Sequence, residues 1–191
     1  MKNEYLMPKV IAEIGCNHKG EMEIAKQLLK VAADSGVEVA KFQKRNNKEL
    51  LTKEQYNASH PNPINSYGNS YGEHREFLEF NLNQHKELKE YTESLGLIYS
   101  TSVWDTTSAK EIASMNPDLI KVPSACNNHF DMLKVLRDEY KGEVHISFGM
   151  TTKEEEEQIV SFFEEEGQAK RGVVYSCTSG YPVPFEDICM L

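Results

Sequence analysis

Glu13, Lys41, Thr101, Lys121, Ser147 and Thr178 each close a short, mostly apolar run of this chain. One carboxylate, two amines and three hydroxyls are a set that can hold a multiply charged anion and manage a proton beside it. Apart from one long gap after Lys41, the run ends lie roughly 20 to 30 residues apart, the length of one βα unit. A parallel barrel collects the C-terminal ends of its strands on one face, and such folds do their chemistry there. The pattern reads as an enzyme. The bland alternatives are snorkelling or ion-paired lysines and hydroxyls that merely cap helices.

The elements that must position these residues can be read from the same chain. The runs are Val10–Glu13, Val37–Lys41, Leu97–Thr101, Leu119–Lys121, Val144–Ser147 and Val173–Thr178, each expected to be a strand. A helix is expected over Glu21–Ser35 with Ile24, Leu28, Val31 and Ala32 on its apolar stripe, stopped by Gly36. Ser108 to Glu111 reads as a capping box opening a helix that Asn116 and Pro117 close. Met132, Leu133, Val135 and Leu136 give the next helix its buried side before Gly142. Thr152 to Glu155 is a second capping box, and Gly167 ends that helix. Between Asn46 and Glu73 the chain turns polar and rich in Asn, Gly and Pro. A long loop there, following the second strand, would lie over the catalytic face as a cover or pass as a surface excursion.

Length and composition set the bounds. The 191 residues suffice for one domain with a real core, and 39% hydrophobic with 27% charged content is ordinary for a globular chain. The formal charge of −9 leaves no basic stripe for nucleic acid. No apolar run is long enough to span a bilayer and no signal peptide stands at the N-terminus, so the expectation is a cytoplasmic protein without membrane contact. Cys16, Cys126, Cys177 and Cys189 show no CxxC spacing and read as reduced packing residues. The expected fold is α/β, about six βα units of a TIM-type (β/α)8 barrel that is incomplete here. An open doubly wound sheet is the competing architecture, because βα repetition alone does not separate the two.

Six motifs go further. Ala12 to Gly20 (AEIGCNHKG), Lys41 to Lys44 (KFQK), Ser100-Thr101, Ile120 to Ser124 (IKVPS), Ile146 to Met150 (ISFGM) and Cys177 to Pro182 (CTSGYP) resemble, in order and spacing, the N-terminal barrel of the sialic acid synthases. The resemblance implies condensation of phosphoenolpyruvate with an N-acyl hexosamine, typically N-acetylmannosamine, to give a nonulosonic acid and phosphate. It implies Glu13 as the catalytic carboxylate that positions the sugar. It implies Lys41, Lys121, Thr101, Ser124, Ser147 and Ser179 around phosphoenolpyruvate, and Tyr181 on the sugar side.

The same resemblance implies a divalent cation, manganese or magnesium, held by two histidines on strands seven and eight. Residues 1–191 read as one partial N-terminal synthase domain, in which those strands and the antifreeze-like C-terminal domain are absent. No metal ligand set is therefore expected in this chain, and His18 is the first candidate should one exist. The first and sixth strands are expected to be open edges, so the chain should self-associate or need a complementing chain, and should show no synthase turnover alone. Two other readings stand beside the synthase. One is a Schiff-base aldolase using a strand-end lysine. The other is an inactive fragment or split half that binds ligand or a complementing chain.

Overall fold

The computed structural model describes residues 7–180 and 182–188. Six strands, β1 (Ile11–Gly15), β2 (Val39–Lys44), β3 (Ile98–Val103), β4 (Leu119–Val122), β5 (Glu143–Phe148) and β6 (Gly172–Ser176), form one sheet in the order β1-β2-β3-β4-β5-β6. Every pairing is parallel. That order decides the architecture. A doubly wound sheet reverses its strand order at a switch point and so covers both faces with helices. Sequential order with crossovers of one hand places all helices on a single face, and the sheet must curl to shelter the other. The fold is thus a TIM-type barrel, incomplete at six strands.

The helices are α1 (Met22–Asp34), α2 (Asn47–Leu50), α3 (Lys53–Asn57), α4 (Tyr71–Leu78), α5 (Leu82–Ser94), α6 (Thr106–Ser114), α7 (Phe130–Asp138) and α8 (Lys153–Glu164). Two apolar clusters lie between them and the sheet. One joins Ile14, Ala40, Phe42 and Tyr99 to α1 and α5, and the other joins Val103, Ile120, Val144 and Ile146 to α6, α7 and α8. In α7 the expected Met132, Leu133, Val135 and Leu136 are all buried.

Several local expectations change. The buried stripe of α1 is Ala25, Leu29 and Ala32, while Val31 is exposed. Small side chains on that stripe let the helix approach the sheet. The helix opening near Ser108 starts earlier, because the Asp105 carboxylate takes the Ser108 N–H at 2.7 Å and its hydroxyl at 2.8 Å. Asp105 also accepts the Asn46 N–H at 2.7 Å, tying the end of β2 to α6. Asp105→Ala should therefore cost about 2 kcal/mol, the upper range for a cap, read as a lowered urea midpoint with unchanged slope. The capping box at Thr152 forms as read. The 46–73 stretch is not a bare loop: it holds α2, α3, a 3-10 turn at Pro63–Asn65 and the start of α4. Glu49 of α2 accepts the N–H groups of Thr106 and Thr107, which packs this insertion against the C-terminal end of the sheet.

Candidate active site

Side chains alternate between the two faces of a strand, and here the alternation separates polar from apolar. Ala40 and Phe42 enter the core beneath α1 and α5, which turns Lys41 and Gln43 inward. Tyr99 and Val103 enter the core, which turns Ser100 and Ser102 inward. Val144 and Ile146 do the same for His145 and Ser147.

Two groups form on that inner face. In the first, the Lys41 ammonium donates to the Glu13 carboxylate and, at 3.1 Å, to Ser102 Oγ. Gln43 Nε2 donates to Glu13 Oε1 at 3.2 Å, and its Oε1 accepts from Arg45. Arg45 is itself held by Glu79 at 3.2 Å and lies 4.3 Å over the Trp104 ring. In the second group, Lys121 donates to Ser147 Oγ and, at 3.0 Å, to the Val122 carbonyl. Ser124 and Ser179 converge on Gly149, where a Cβ would sit 2.6 Å from one hydroxyl and 3.1 Å from the other. A side chain at Gly149 would push the Ser124 hydroxyl aside, so the glycine lets the two hydroxyls meet there. Asn127 Nδ2 donates to the Ser147 carbonyl at 2.8 Å and pins the end of β5.

The electrostatics suit an anion. Burial, then the charges of Lys121 and Arg45, draw Lys41 down to about 8. Burial draws Lys121 to about 8 as well. Two amines, one lowered in part by the other's charge and each bonded to a hydroxyl, are groups that can bind a ligand carrying two negative groups.

The structure thus brings Glu13, Lys41, Lys121, Ser124, Ser147 and Ser179 to the inner face and C-terminal rim. Thr101 is not with them. It sits in the outward register between Phe42 and Ile120, fully buried. Ser102 takes the place expected of it, one residue on, because a one-residue step reverses the face. Tyr181 and Cys189 lie outside the described residues. Gln43, Ser102, Arg45 and Asn127 escaped the sequence reading. The first two carried a signal in the period-two pattern, whereas Arg45 and Asn127 follow their strands in loops and carried none.

For the divalent cation, no group of three His, Cys, Asp or Glu side chains converges among the described residues. His18 is committed elsewhere. Its ring stacks on Phe80 at 4.0 Å, its Nδ1 accepts the Gly20 N–H, and burial pulls it down to about 4. Those residues do not fit the metal. Cys126 is buried, its thiol pushed up to about 12 by desolvation. Among the described residues no helix is long and apolar enough to cross a membrane.

A family model described as the NeuB family matches residues 28–191. The human N-acetylneuraminate-9-phosphate synthase is 32% identical over 184 residues, covering 94% of this chain and 49% of that protein. The N,N'-diacetyllegionaminic acid synthase of Campylobacter jejuni is 27% identical, covering 94% of this chain and 54% of that protein. The chain spans about half the length of these curated relatives. Among solved structures, an N-acetylneuraminic acid synthetase from Leptospira borgpetersenii shares the fold with a TM-score of 0.77 and 22% identity, over 93% of this chain and 56% of that one.

Proposed function

The chain belongs to the NeuB family, and on that footing we propose that it binds phosphoenolpyruvate and an N-acyl hexosamine and takes part in joining them into a nonulosonic acid. The observation that carries this reading is the pair of half-buried ammonium groups, Lys41 bonded to Ser102 and Lys121 bonded to Ser147, with the Ser124 and Ser179 hydroxyls meeting at Gly149 just past the end of β5. Phosphoenolpyruvate presents a carboxylate and a phosphate, and two fixed cations with neutral donors between them answer both.

In the condensation the enol carbon of phosphoenolpyruvate attacks the open-chain aldehyde of the sugar. Positive charge develops at the carbon bearing phosphate, water adds there, and the tetrahedral intermediate expels phosphate. The lysines neutralise the anion on binding and the phosphate as it leaves. Glu13 is 47% exposed against 14% for Lys41, so its carboxylate stands on the open side, where a second substrate arrives. There it orients the sugar and handles a proton near the aldehyde, and the family resemblance gives Tyr181 a sugar contact as well. Sheet edges at β1 and β6, each paired on one side only among the described residues, offer a seat for a second copy or a complementing chain. Equilibrium sedimentation tests that association.

Titration calorimetry tests the substrate. Both ammonium groups lose charge as pH rises through about 8. Affinity for phosphoenolpyruvate should therefore fall between pH 7 and pH 9, while any affinity for N-acetylmannosamine holds. Absence of phosphoenolpyruvate binding, or binding indifferent to pH, would overturn the reading. The same lowered lysines favour a second chemistry, imine formation with a 2-oxo acid. A mass gain after borohydride treatment with pyruvate would point to that instead.

A further inference from the structure

The inner face holds three further polar groups that the condensation does not use, His145, Tyr175 and Glu143. Lys121 pairs laterally with His145, and Ser147 pairs with Tyr175, so these four residues form a square across β4, β5 and β6. His145 is buried, with Nδ1 2.8 Å from the Tyr175 hydroxyl and Nε2 3.0 Å from Glu143 Oε2. With the Nε2 proton given to the Glu143 carboxylate, Nδ1 is left as the acceptor for the Tyr175 hydroxyl. The far side of the square carries the consequence: Lys121 Nζ lies 5.1 Å from the centre of the Tyr175 ring. That is cation–π range, and the ring face is where the ammonium is attracted.

We propose that Tyr175, clamped by His145 and through it by Glu143, is a positioning residue that holds the Lys121 ammonium toward the anion. This rests on the reading of Lys121 as a phosphoenolpyruvate contact. The physical logic is that a lysine stem has four rotatable bonds and loses them on binding. Ser147 and the Val122 carbonyl fix one side of the ammonium, and the ring supplies the other without competing for the protons that the ligand needs. The clamp opens at its far end onto a cavity of about 530 Å³ lined by Ile11, Val39, Leu119 and Val173. Val39, Leu119 and Glu143 open their strands, so this cavity lies at the N-terminal end of the sheet, away from the rim that receives substrate.

The test uses the full chain and three variants. His145→Val removes the clamp and leaves the ring. Tyr175→Phe keeps the ring and its volume but releases His145. His145→Asn places an amide oxygen about where Nδ1 stood. Phosphoenolpyruvate affinity is measured by calorimetry, and the ring-current shift of the Lys121 side chain by NMR with labelled lysine, assigned through Lys121→Arg. H145V and Y175F should each weaken binding about tenfold and move the Lys121 resonance, and H145N should restore both. Unchanged resonance and affinity in H145V and Y175F would overturn the proposal. So would equal loss in H145N and H145V, which marks simple packing damage. If the unaltered chain binds no phosphoenolpyruvate, the substrate reading fails, while the Lys121 resonance still decides the clamp.

Discussion

Lys121→Ala is expected to weaken phosphoenolpyruvate binding by about two orders of magnitude while leaving N-acetylmannosamine within about threefold. A charge-assisted hydrogen bond to an anion oxygen contributes about 1.5–3 kcal/mol, and with Ser147 and the Val122 carbonyl holding two of its three protons the ammonium keeps one for the anion, together with its charge. The substitution also frees space that water can enter beside Ser147, so no unpaired charge stays buried and the fold should survive. Calorimetry with each ligand separately provides the measurement. Equal losses for both ligands would instead report a damaged fold.

Arg45→Met should be the most destabilising change at the rim, by about 3–5 kcal/mol. The two side chains of the Arg45–Glu79 pair are 8% and 9% exposed. Methionine fills much of the arginine's volume but leaves the Glu79 carboxylate buried without a cation. Burial already raises Glu79 above the usual carboxylate range, and Arg45 opposes that rise. Without Arg45 the folded carboxyl holds its proton to still higher pH than the unfolded chain does. The folded state then binds more protons, so stability falls as pH rises through the folded midpoint, and the deficit shrinks on acidification toward the ordinary glutamate value. Urea unfolding at pH 5 and pH 8 should show the smaller deficit at pH 5. Equal deficits would assign the loss to packing against Trp104 and not to the stranded charge.

Some of this was legible in the residues. Lys41 and Lys121 interrupt apolar runs, and a lysine between buried neighbours has few reasons to stand there other than charge. Thr152 with Glu155 announced its helix start because both halves of the box lie within one turn. Other signals were local and ambiguous. Ser108 matched a capping box equally well, yet Asp105, three residues earlier, won because a carboxylate accepts from the Ser108 N–H, the Ser108 hydroxyl and the Asn46 N–H together. Thr101 looked like a strand end, but β3 runs on to Val103 and the pleat turns Thr101 outward.

By itself, then, the sequence determined that six βα units follow one another, that two lysines and a carboxylate ride on strands, and which family these motifs resemble. Hydrophobic periodicity and short capping motifs are encoded within a few residues, so no distant contact is needed to read them. Only the tertiary structure decided that the strands lie in sequential order and curl as a barrel. It also decided that Ser102 and not Thr101 joins Lys41, that Arg45 is locked to Glu79, and that Tyr175 lies under Lys121. Each of these depends on strand register or on partners 26 or more residues away. A one-residue difference in register reverses every side chain on a strand, and no pattern within a single strand specifies its offset from the next.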